Sequence, residues 1–275
     1  MNNLIGVMAG LRSGNPTMLN GVVNLGLKAC QTCCWDMNFY TRENARKLSE
    51  EIWRSSIKVT SLWAGWPGAA VWDFVDGPST LGLVPRRSRV MRIAALKKAA
   101  DFAKWSGIPA IVTHLGFIPE NPKDKLFQEI VAVVRNIAIY CKKANLEFWF
   151  ETGQETPVTM LRLLLGTKMD NVGINLDPAN LILYGKGNPI DALDVFGKYV
   201  KGIHAKDGLY PVDPMRLGHE VRVGEGKVCF PTFIKRLKEI GYKGAFIIER
   251  EISGEQQIRD IKKTIVYLKK LLKRY

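Results

Sequence analysis

The feature that most constrains the fold is a repeated alternation of short apolar runs with longer amphipathic stretches. The runs are rich in Val, Ile, Leu, Phe and Trp, and each has the length of one buried strand. There are eight of them, at residues 4–9, 27–32, 57–63, 109–115, 146–151, 172–177, 200–206 and 245–249. This alternation is typical of βα units, in which helices join the strands of a parallel sheet.

The stretches between the runs have the period of an α-helix. Residues 124–144 place one set of apolar side chains on a single face, namely Ile130, Val133, Val134, Ile137 and Cys141. The last stretch does the same with Ile258, Ile261, Ile265, Leu268 and Leu272. Gly26, Gly107 and Gly244 each lie just before an apolar run, where a glycine commonly ends the preceding helix.

Eight strands with helices between them, in a chain of 275 residues, match a (β/α)8 barrel, whose typical length is about 250 residues. We therefore predict an α/β protein with the TIM barrel architecture. No linker rich in Pro, Ser or Gly and no low-complexity segment divides the chain, so we expect a single domain over residues 1–275. A doubly wound parallel sheet is the alternative.

The net charge of +14 raises the question of a nucleic-acid partner. The basic surplus is spread over both halves of the chain and falls mostly on predicted helix faces, as with Lys97, Lys98 and Lys104. This distribution favours a solvated basic surface, and we expect no nucleic-acid partner.

The apolar stretches are interrupted by charges well before the roughly 18 residues that a membrane-spanning helix needs. The start of the chain lacks the basic and apolar regions of a secretion signal. The five cysteines are an odd number, which indicates reduced thiols rather than a disulfide scaffold. We therefore expect a cytoplasmic protein without a membrane partner.

In a barrel of this kind the active site forms at the carboxyl ends of the strands. Four consecutive runs end in a polar side chain of metal-binding type: Glu151, Asp177, His204 and Glu249. A single acid in this position is often a helix cap, and Asp177 precedes Pro178 as a capping residue would. The three carboxylates among these four groups would repel each other at one edge without a cation. We therefore predict one divalent metal ion, Mn²⁺ in first place, with Mg²⁺, Co²⁺ or Zn²⁺ as alternatives.

The longest motifs resemble those of the xylose isomerase-like TIM barrels, a family with sugar phosphate isomerases, ketose 3-epimerases and inosose dehydratases. They cover residues 151–155, 175–180, 204–207 and 224–244, followed by Glu249. The resemblance implies that Glu151, Asp177, His204 and Glu249 are the metal ligands, and that Glu151 and Glu249 are the catalytic acid and base. Asn180 is a departure, because the ketose 3-epimerases have a histidine at this position.

The resemblance implies a metal-dependent isomerase or epimerase that moves a proton next to the carbonyl of a sugar or sugar derivative through an enediolate. The alternative is a lyase of the same family, either an inosose-type dehydratase or a subunit that cleaves C-glycosides or 3-oxo-sugars. Both reactions begin with removal of a proton next to a carbonyl. The partner is then a small sugar molecule, and a homo-oligomer is compatible with the sequence.

Further polar and aromatic residues near the strand ends are candidates for substrate binding: His114, Glu155, Lys206 and Trp63. The resemblance adds Asn180, at the position of an epimerase histidine that helps to hold the substrate, and Arg222, in the loop before Gly224 where the epimerases have a substrate-contacting arginine. The long segment 64–85 after the third run contains Trp66 and Trp72, and we expect it to close over the substrate as a lid. For residues 224–226 the sequence predicts a turn, because the lysine of a phosphate-binding loop is missing.

Two other functions stay open at this point. Abasic-site nucleases of the endonuclease IV type resemble this barrel, but they use a three-metal cluster with several histidines, and this chain has only His114, His204 and His219. A metal-stabilised binding protein without catalysis is the other possibility. A zinc site at Cys30, Cys33 and Cys34 is disfavoured, because neither a second cysteine pair nor a histidine lies nearby.

Overall fold

Eight parallel strands close into one barrel in a computed structural model, which describes residues 3–12, 14 and 17–274. In barrel order the strands are β1 (Ile5–Gly10), β2 (Ala29–Cys34), β3 (Lys58–Ala64), β4 (Ala110–His114), β5 (Glu147–Glu151), β6 (Val172–Leu176), β7 (Val200–Ala205) and β10 (Phe246–Ile248). Two short strands, β8 (Asp207–Gly208) and β9 (Glu220–Val221), pair antiparallel outside the barrel. The predicted TIM barrel is thus confirmed, and each predicted run overlaps one barrel strand.

Helices surround the barrel and connect its strands. They are α1 (Asn20–Asn24), α2 (Arg42–Ser55), α3 (Gly77–Thr80), α4 (Arg86–Ser106), α5 (Lys125–Lys143), α6 (Pro157–Thr167), α7 (Pro178–Leu183), α8 (Pro189–Phe196), α9 (Phe230–Glu239) and α10 (Glu255–Arg274), with a short 3-10 turn at Gly197–Tyr199. The two helical periods found in the sequence correspond to α5 and α10, which bury their apolar faces against the strands.

Glycines end two of the helices as the sequence predicts, and a third prediction is wrong. Gly107 closes α4 in the left-handed conformation at φ 74°, and Gly26 follows α1 at φ 67°. Helix α9 instead ends near Gly241, at φ 77°. Gly244 lies too late in the chain for this role. It is required for another reason, because a Cβ atom there would lie 2.3 Å from the Tyr242 hydroxyl.

The alternation of side chains along each strand decides which groups face the barrel interior. In β5, Phe148 and Phe150 pack outward into the main core beneath the helices, whereas Trp149 packs inside the barrel. Glu151 is two residues beyond Trp149 and therefore faces the interior. In the strand register Glu151 lies beside His114 of β4 and Asn175 of β6.

The connection between β3 and α4 is anchored to the barrel along much of its length. Trp66, Leu81 and Leu83 are buried. Arg92 of α4 is 2% exposed and donates to the carbonyl oxygens of Gly82 and Ala69 at 2.6 and 2.9 Å. These contacts favour a fixed wall over the mobile lid that the sequence predicts for this segment.

None of the helices that the structure describes combines the length and apolar character needed to cross a bilayer. All five cysteines lie in the described part of the chain, and each is a free thiol. The cytoplasmic location inferred from them stays a prediction.

Candidate active site

Four side chains of metal-binding type meet at the carboxyl end of the barrel. Glu151 is the last residue of β5, Asp177 follows β6, His204 belongs to β7 and Glu249 follows β10. One nitrogen or oxygen atom from each lies within 4.8 Å of the others. The four residues that the sequence singles out for a metal site are therefore neighbours in space.

His204 is at the centre of this cluster. Its Nδ1 atom lies 3.1 Å from Glu151 Oε1, 3.1 Å from Glu249 Oε2 and 3.7 Å from Asp177 Oδ2. The His204, Asp177 and Glu151 side chains are almost completely buried, and that of Glu249 is 15% exposed. The cluster is thus open to a ligand mainly on the side of Glu249.

The donor atoms fit a divalent cation. His204 Nδ1 and Asp177 Oδ2 are both buried, and neither has a hydrogen-bond partner among the described residues. Buried polar atoms are rarely left without a partner, so two of them facing each other indicate a missing binding partner. Three carboxylates and one imidazole form the set that Mn²⁺, Mg²⁺ and Co²⁺ accept. The four residues are therefore a candidate site for one divalent metal ion.

Gln31 of β2 orients the histidine, and the sequence analysis did not find it. Its Oε1 atom lies 2.7 Å from His204 Nε2, while its Nε2 atom donates to Ser61 Oγ at 2.7 Å and Asn175 Oδ1 at 3.2 Å. His204 Nε2 therefore donates to Gln31, and Nδ1 is the ring nitrogen turned toward the carboxylates and available to a cation. The available signal was an amide side chain in the middle of a buried strand.

Asp177 has two functions at once. Its Oδ1 atom accepts a hydrogen bond from the backbone N–H of Asn180 at 2.9 Å and so caps helix α7, while Oδ2 points into the cluster. The hydroxyl of Thr152 binds the Asp177 backbone, donating to its carbonyl oxygen at 2.8 Å and accepting from its N–H at 2.9 Å. The sequence analysis treated helix capping and metal binding by Asp177 as alternatives. The two are compatible, because Oδ1 binds the helix backbone and Oδ2 faces the cluster.

Burial and the close charges act in opposite directions on the ionisable groups. Burial disfavours a charged His204, but the carboxylates of Glu151 and Glu249 raise the pKa of its imidazole well above the usual value. Burial likewise opposes ionisation of Glu151, yet His204 and His114 hold the pKa of its carboxyl well below the usual value. In the protein without a cation, imidazolium and carboxylate therefore stabilise each other.

Lys206 lies beside the cluster and is only 2% exposed. Its Nζ atom is 3.4 Å from Asp177 Oδ2, 3.5 Å from Glu249 Oε2 and 3.0 Å from Glu251 Oε2. It also donates to Asn180 Oδ1 at 3.3 Å. This buried ammonium compensates part of the negative charge of the site.

Three of the predicted substrate-binding residues surround Glu151. Trp63 Nε1 donates to Glu151 Oε2, His114 Nε2 lies 3.4 Å from Glu151 Oε1, and Asn180 Nδ2 donates to the same Oε1 atom at 3.4 Å. They hold the carboxylate of Glu151 in one orientation. His114 Nδ1 is buried and has no hydrogen-bond partner among the described residues.

Glu155 is close to the side chains that surround Glu151, but it does not line the cavity at the barrel mouth. It is 1% exposed, its Oε1 accepts from the N–H of Gly153 at 3.3 Å, and its Oε2 has no hydrogen-bond partner in the described structure. Burial raises the pKa of its carboxyl to about 7, although the charge of His114 acts in the opposite direction.

Arg222 is placed differently from the other candidates. Its guanidinium pairs with Glu225, three residues later, and does not line the cavity. The nearby 224–226 segment is a turn, as predicted, and is held by the Asp207 carboxylate, which accepts from the N–H groups of Gly224 and Gly226 at 3.0 and 3.1 Å. A role for Arg222 in substrate binding stays a prediction.

A cavity of about 470 Å³ opens directly above the cluster. Its lining includes the carboxylates Glu151, Glu249 and Glu251 and the aromatic residues Trp35, Trp63, Trp72 and Tyr184. The sequence analysis found Trp63 and both cluster glutamates but missed Trp35, Tyr184 and Glu251 as parts of the site. Volumes of this size are typical of small-molecule sites, which span roughly 300–1,000 Å³.

The sequence of the chain matches the model of one known protein family. The family model for the xylose isomerase-like TIM barrel matches residues 21–271. The chain belongs to this family. A solved structure of a xylose isomerase domain protein from Planctomyces limnophilus superposes with a TM-score of 0.93 and 36% identity, over 98% of this chain and 97% of that one.

More distant structures share the fold of this xylose isomerase-like barrel. A D-tagatose 3-epimerase-like protein has a TM-score of 0.75 at 20% identity, over 98% of this chain and 99% of its own. A family member from Mycobacterium smegmatis in complex with magnesium has a TM-score of 0.72 at 14% identity, over 98% and 97% of the two chains. At these identities the likeness shows the fold alone.

Curated sequences give a further relative. An uncharacterized protein of Methanocaldococcus jannaschii is 26% identical over 202 residues, which make up 69% of this chain and 64% of that protein. The match thus spans just under two thirds of the relative's length.

Proposed function

We propose that this chain is a metal-dependent enzyme that moves a proton next to the carbonyl of a sugar or sugar derivative, as an isomerase or epimerase. The observation that carries the proposal is the position of two carboxylates, Glu151 and Glu249, each 3.1 Å from the same ring nitrogen of His204 and both lining the cavity. A proton donor and a proton acceptor are thereby available at one binding site.

The metal would be held by Glu151, Asp177, His204 and Glu249, whose unpartnered atoms fit a divalent cation as described above. When bound, such an ion polarises a carbonyl group and thereby makes the neighbouring C–H bond more acidic.

The two glutamates reach the cavity from different sides. In the barrel order, β6 and β7 lie between β5, which carries Glu151, and β10, which precedes Glu249. A sugar bound between them can lose a proton to one carboxylate and regain one from the other. The enediolate forms between these two proton transfers, each of which is general acid–base catalysis.

Glu151 and Glu249 differ in the contacts that their carboxylates make and in their exposure to solvent. Glu151 is fixed on both oxygens, by Trp63 on one and by Asn180 and His114 on the other. Glu249 lies 3.5 Å from the ammonium of Lys206 in addition to its contact with His204, and it is the more exposed of the two. The carboxylate of Glu151 is therefore the better oriented of the two, and the carboxylate of Glu249 is the more accessible to solvent.

Family membership supports sugar chemistry, and the epimerase-like structural neighbour agrees with it. The magnesium complex of a neighbour supports a divalent ion as the metal, and Mn²⁺ is our first choice for this chain. The substrate is proposed to be a small sugar molecule rather than a nucleic acid.

The test is an exchange experiment with metal-loaded protein in D₂O and a panel of ketoses, inososes and 3-oxo-glycosides. We expect deuterium at one carbon of one substrate and a product of unchanged skeleton and composition, as isomerisation requires. Loss of water or of an aglycone would establish the lyase alternative instead. If protein that demonstrably holds one metal ion exchanges no carbon-bound proton in any member of the panel, the proposed function is wrong.

A further inference from the structure

The cavity above the cluster has one polar side and one aromatic side. Trp35 and Trp63 have ring centroids 5.0 Å apart, Trp35 and Trp66 5.2 Å, and Trp66 and Trp72 6.1 Å. We call these four residues the tryptophan wall. Trp35, Trp63 and Trp72 line the cavity, and Trp66 is buried behind them.

The tryptophan wall offers two large apolar faces to a ligand. Trp35 is 42% exposed and Trp72 is 39% exposed, although both contact buried aromatic neighbours. An exposed apolar patch next to a polar site generally marks a binding surface. Trp35 and Trp72 come from different connections, after β2 and after β3, so the fold brings together two faces that are distant in sequence.

The tryptophan wall is held in place by close packing. A Cβ atom at Gly65 would lie 2.5 Å from the indole ring of Trp35, so only a glycine permits this position of the ring. The Arg92 guanidinium lies 5.2 Å from the Trp66 ring centroid and binds two carbonyl oxygens of the same connection. The wall is therefore formed before any ligand arrives.

The charge of the cavity excludes one class of sugar. Three carboxylates line it, those of Glu151, Glu249 and Glu251, and among the described lining residues there is neither lysine nor arginine. Lys206 lies beside them but is already paired with Asp177, Glu249 and Glu251. Even with a divalent cation at the cluster, the four carboxylates Glu151, Asp177, Glu249 and Glu251 outweigh the positive charge of that cation and Lys206, so a phosphate dianion would be repelled. The cavity thus favours an uncharged ligand.

Size and shape then select among uncharged sugars. The volume of about 470 Å³ falls in the range of sites for drug-sized ligands, roughly 300–1,000 Å³. Trp35 packs on Trp63 and Trp72 packs on His114, the two rings next to Glu151, so Trp35 and Trp72 border cavity space beyond a sugar ring bound at the carboxylates. A second flat group attached to the sugar would fill it and stack on these rings.

We infer that the substrate is an uncharged keto-glycoside, whose sugar ring lies at Glu151 and Glu249 and whose aglycone has a flat apolar face that stacks on Trp35 and Trp72. This inference rests on the proposed function for the position of the sugar. Because the glycosidic bond occupies the anomeric carbon, the carbonyl is on another ring carbon. A reaction that oxidises a ring hydroxyl of a glycoside must therefore supply the substrate.

The test compares three probes on metal-loaded protein: a phenyl 3-oxo-glucoside, the methyl 3-oxo-glucoside and fructose 6-phosphate. Binding is measured by isothermal titration, and deuterium exchange is followed in parallel. We expect the phenyl compound to bind about tenfold more tightly than the methyl compound, since one good aromatic contact has about this value. The phosphate should bind more weakly than either. Equal dissociation constants for the phenyl and methyl compounds overturn the inference.

Variants locate the aglycone site. Trp35→Ala and Trp72→Ala should each lower the preference for the phenyl compound, raising its KM more than they lower kcat. Gly65→Ala displaces the Trp35 ring without removing it and should act in the same direction. Trp53→Ala is the matched control, because Trp53 is 82% exposed on α2 and should leave the preference unchanged. A phenyl preference that survives in the Trp35→Ala, Trp72→Ala double variant contradicts the stacking.

The results separate this inference from the proposed function. Deuterium exchange in both glycosides with the same KM retains the function and rejects the aglycone site. Tryptophan-dependent binding of the phenyl compound without exchange in any probe retains the aglycone site and rejects the function. Tighter binding of fructose 6-phosphate that is lost in Arg12→Gln rejects the uncharged substrate, since Arg12 lines an adjoining cavity that shares Trp35 and Glu251 with this one.

Discussion

Gln31 Oε1 lies 2.7 Å from His204 Nε2, across the barrel interior from β2 to β7. The contact decides which nitrogen of the imidazole faces Glu151 and Glu249. The amide itself is held by Ser61 and Asn175, so its oxygen has only one orientation that satisfies all three contacts. Gln31 lies outside the four-residue cluster, and it thereby sets the orientation of His204 within the cluster.

The contact predicts the effect of replacing Gln31. Gln31→Leu removes the acceptor, so that the His204 ring is free to rotate and to change tautomer. We expect Mn²⁺ affinity to fall by about 10- to 100-fold, the usual range when the partner of a histidine ligand is lost. Isothermal titration of the metal-free protein measures this. Gln128→Leu is the control, because Gln128 is exposed on α5, and equal affinity in both variants would contradict the positioning role.

Metal binding itself predicts a stability change. The cation would be bound by the folded barrel and not by the unfolded chain, so a chelator should lower Tm and one equivalent of Mn²⁺ should restore it. His204→Ala should abolish the restored increment in a thermal melt. His219→Ala should keep it, since His219 is exposed and outside the cluster. Less than a tenth of an equivalent of metal after reloading would refute the metal site.

The proton-transfer pair is tested by Glu151→Gln and Glu249→Gln. Each change keeps the size of the side chain and one ligating oxygen but removes the base. We expect turnover to fall by about 10²- to 10⁴-fold, the range for general acid–base catalysis. Single-turnover kinetics at saturating metal give the chemical step, and exposed Glu43→Gln is the control. Turnover near the parent rate in both variants, with metal bound, would disprove these roles.

Glu155 predicts a pH-dependent stability. Its carboxyl has a pKa of about 7 in the folded protein instead of 4.5, because burial disfavours the anion. Below pH 4.5 the group is protonated in both states, and as the pH rises to about 7 the unfolded chain alone releases the proton, so stability falls.

Glu155→Gln removes this loss of stability. The variant should be more stable than the parent above pH 7 by up to about 3 kcal/mol, and the difference should shrink toward pH 5. Urea unfolding across this pH range measures it. The exposed Glu43→Gln variant should show no such gain, and a Glu155→Gln difference that does not vary with pH would show that burial has no such effect.

Arg92 predicts the behaviour of the connection between β3 and α4. Arg92→Leu leaves the Ala69 and Gly82 carbonyl oxygens without their donor, and the loss at the buried Gly82 carbonyl costs on the order of 1–3 kcal/mol. We expect limited proteolysis to cut residues 65–85 faster in this variant, whereas Arg87→Leu on the exposed face of α4 should resemble the parent. Rapid cutting of the parent that slows with ligand would instead favour the mobile lid.

The barrel could be predicted because hydrophobic periodicity and strand-end chemistry are local properties of the sequence. The run Phe148, Trp149, Phe150 predicts a strand, and the polar Glu151 indicates where it ends. The same reasoning placed the four cluster residues, since parallel strands bring their carboxyl ends to one edge. Their proximity in space follows from the fold class alone.

The parts that escaped prediction depend on contacts between distant segments. Gln31 lies 173 positions before His204, and Trp35 packs against Gly65 only where β2 and β3 pair. The anchoring of residues 65–85 depends on Arg92 and on Arg89 of the same helix, which donates to the carbonyl oxygens of Leu83 and Val84. No local pattern distinguishes these residues from ordinary strand, loop and helix positions.

Lys206 lies beside Asp177 and Glu249 as a cation that belongs to the chain itself. With this internal counter-ion, the barrel can close around its carboxylates before any metal is present. For the proposed metal ion, folding and loading would then be separate events. A chain that needed the ion as a folding template could not fold before the ion was bound.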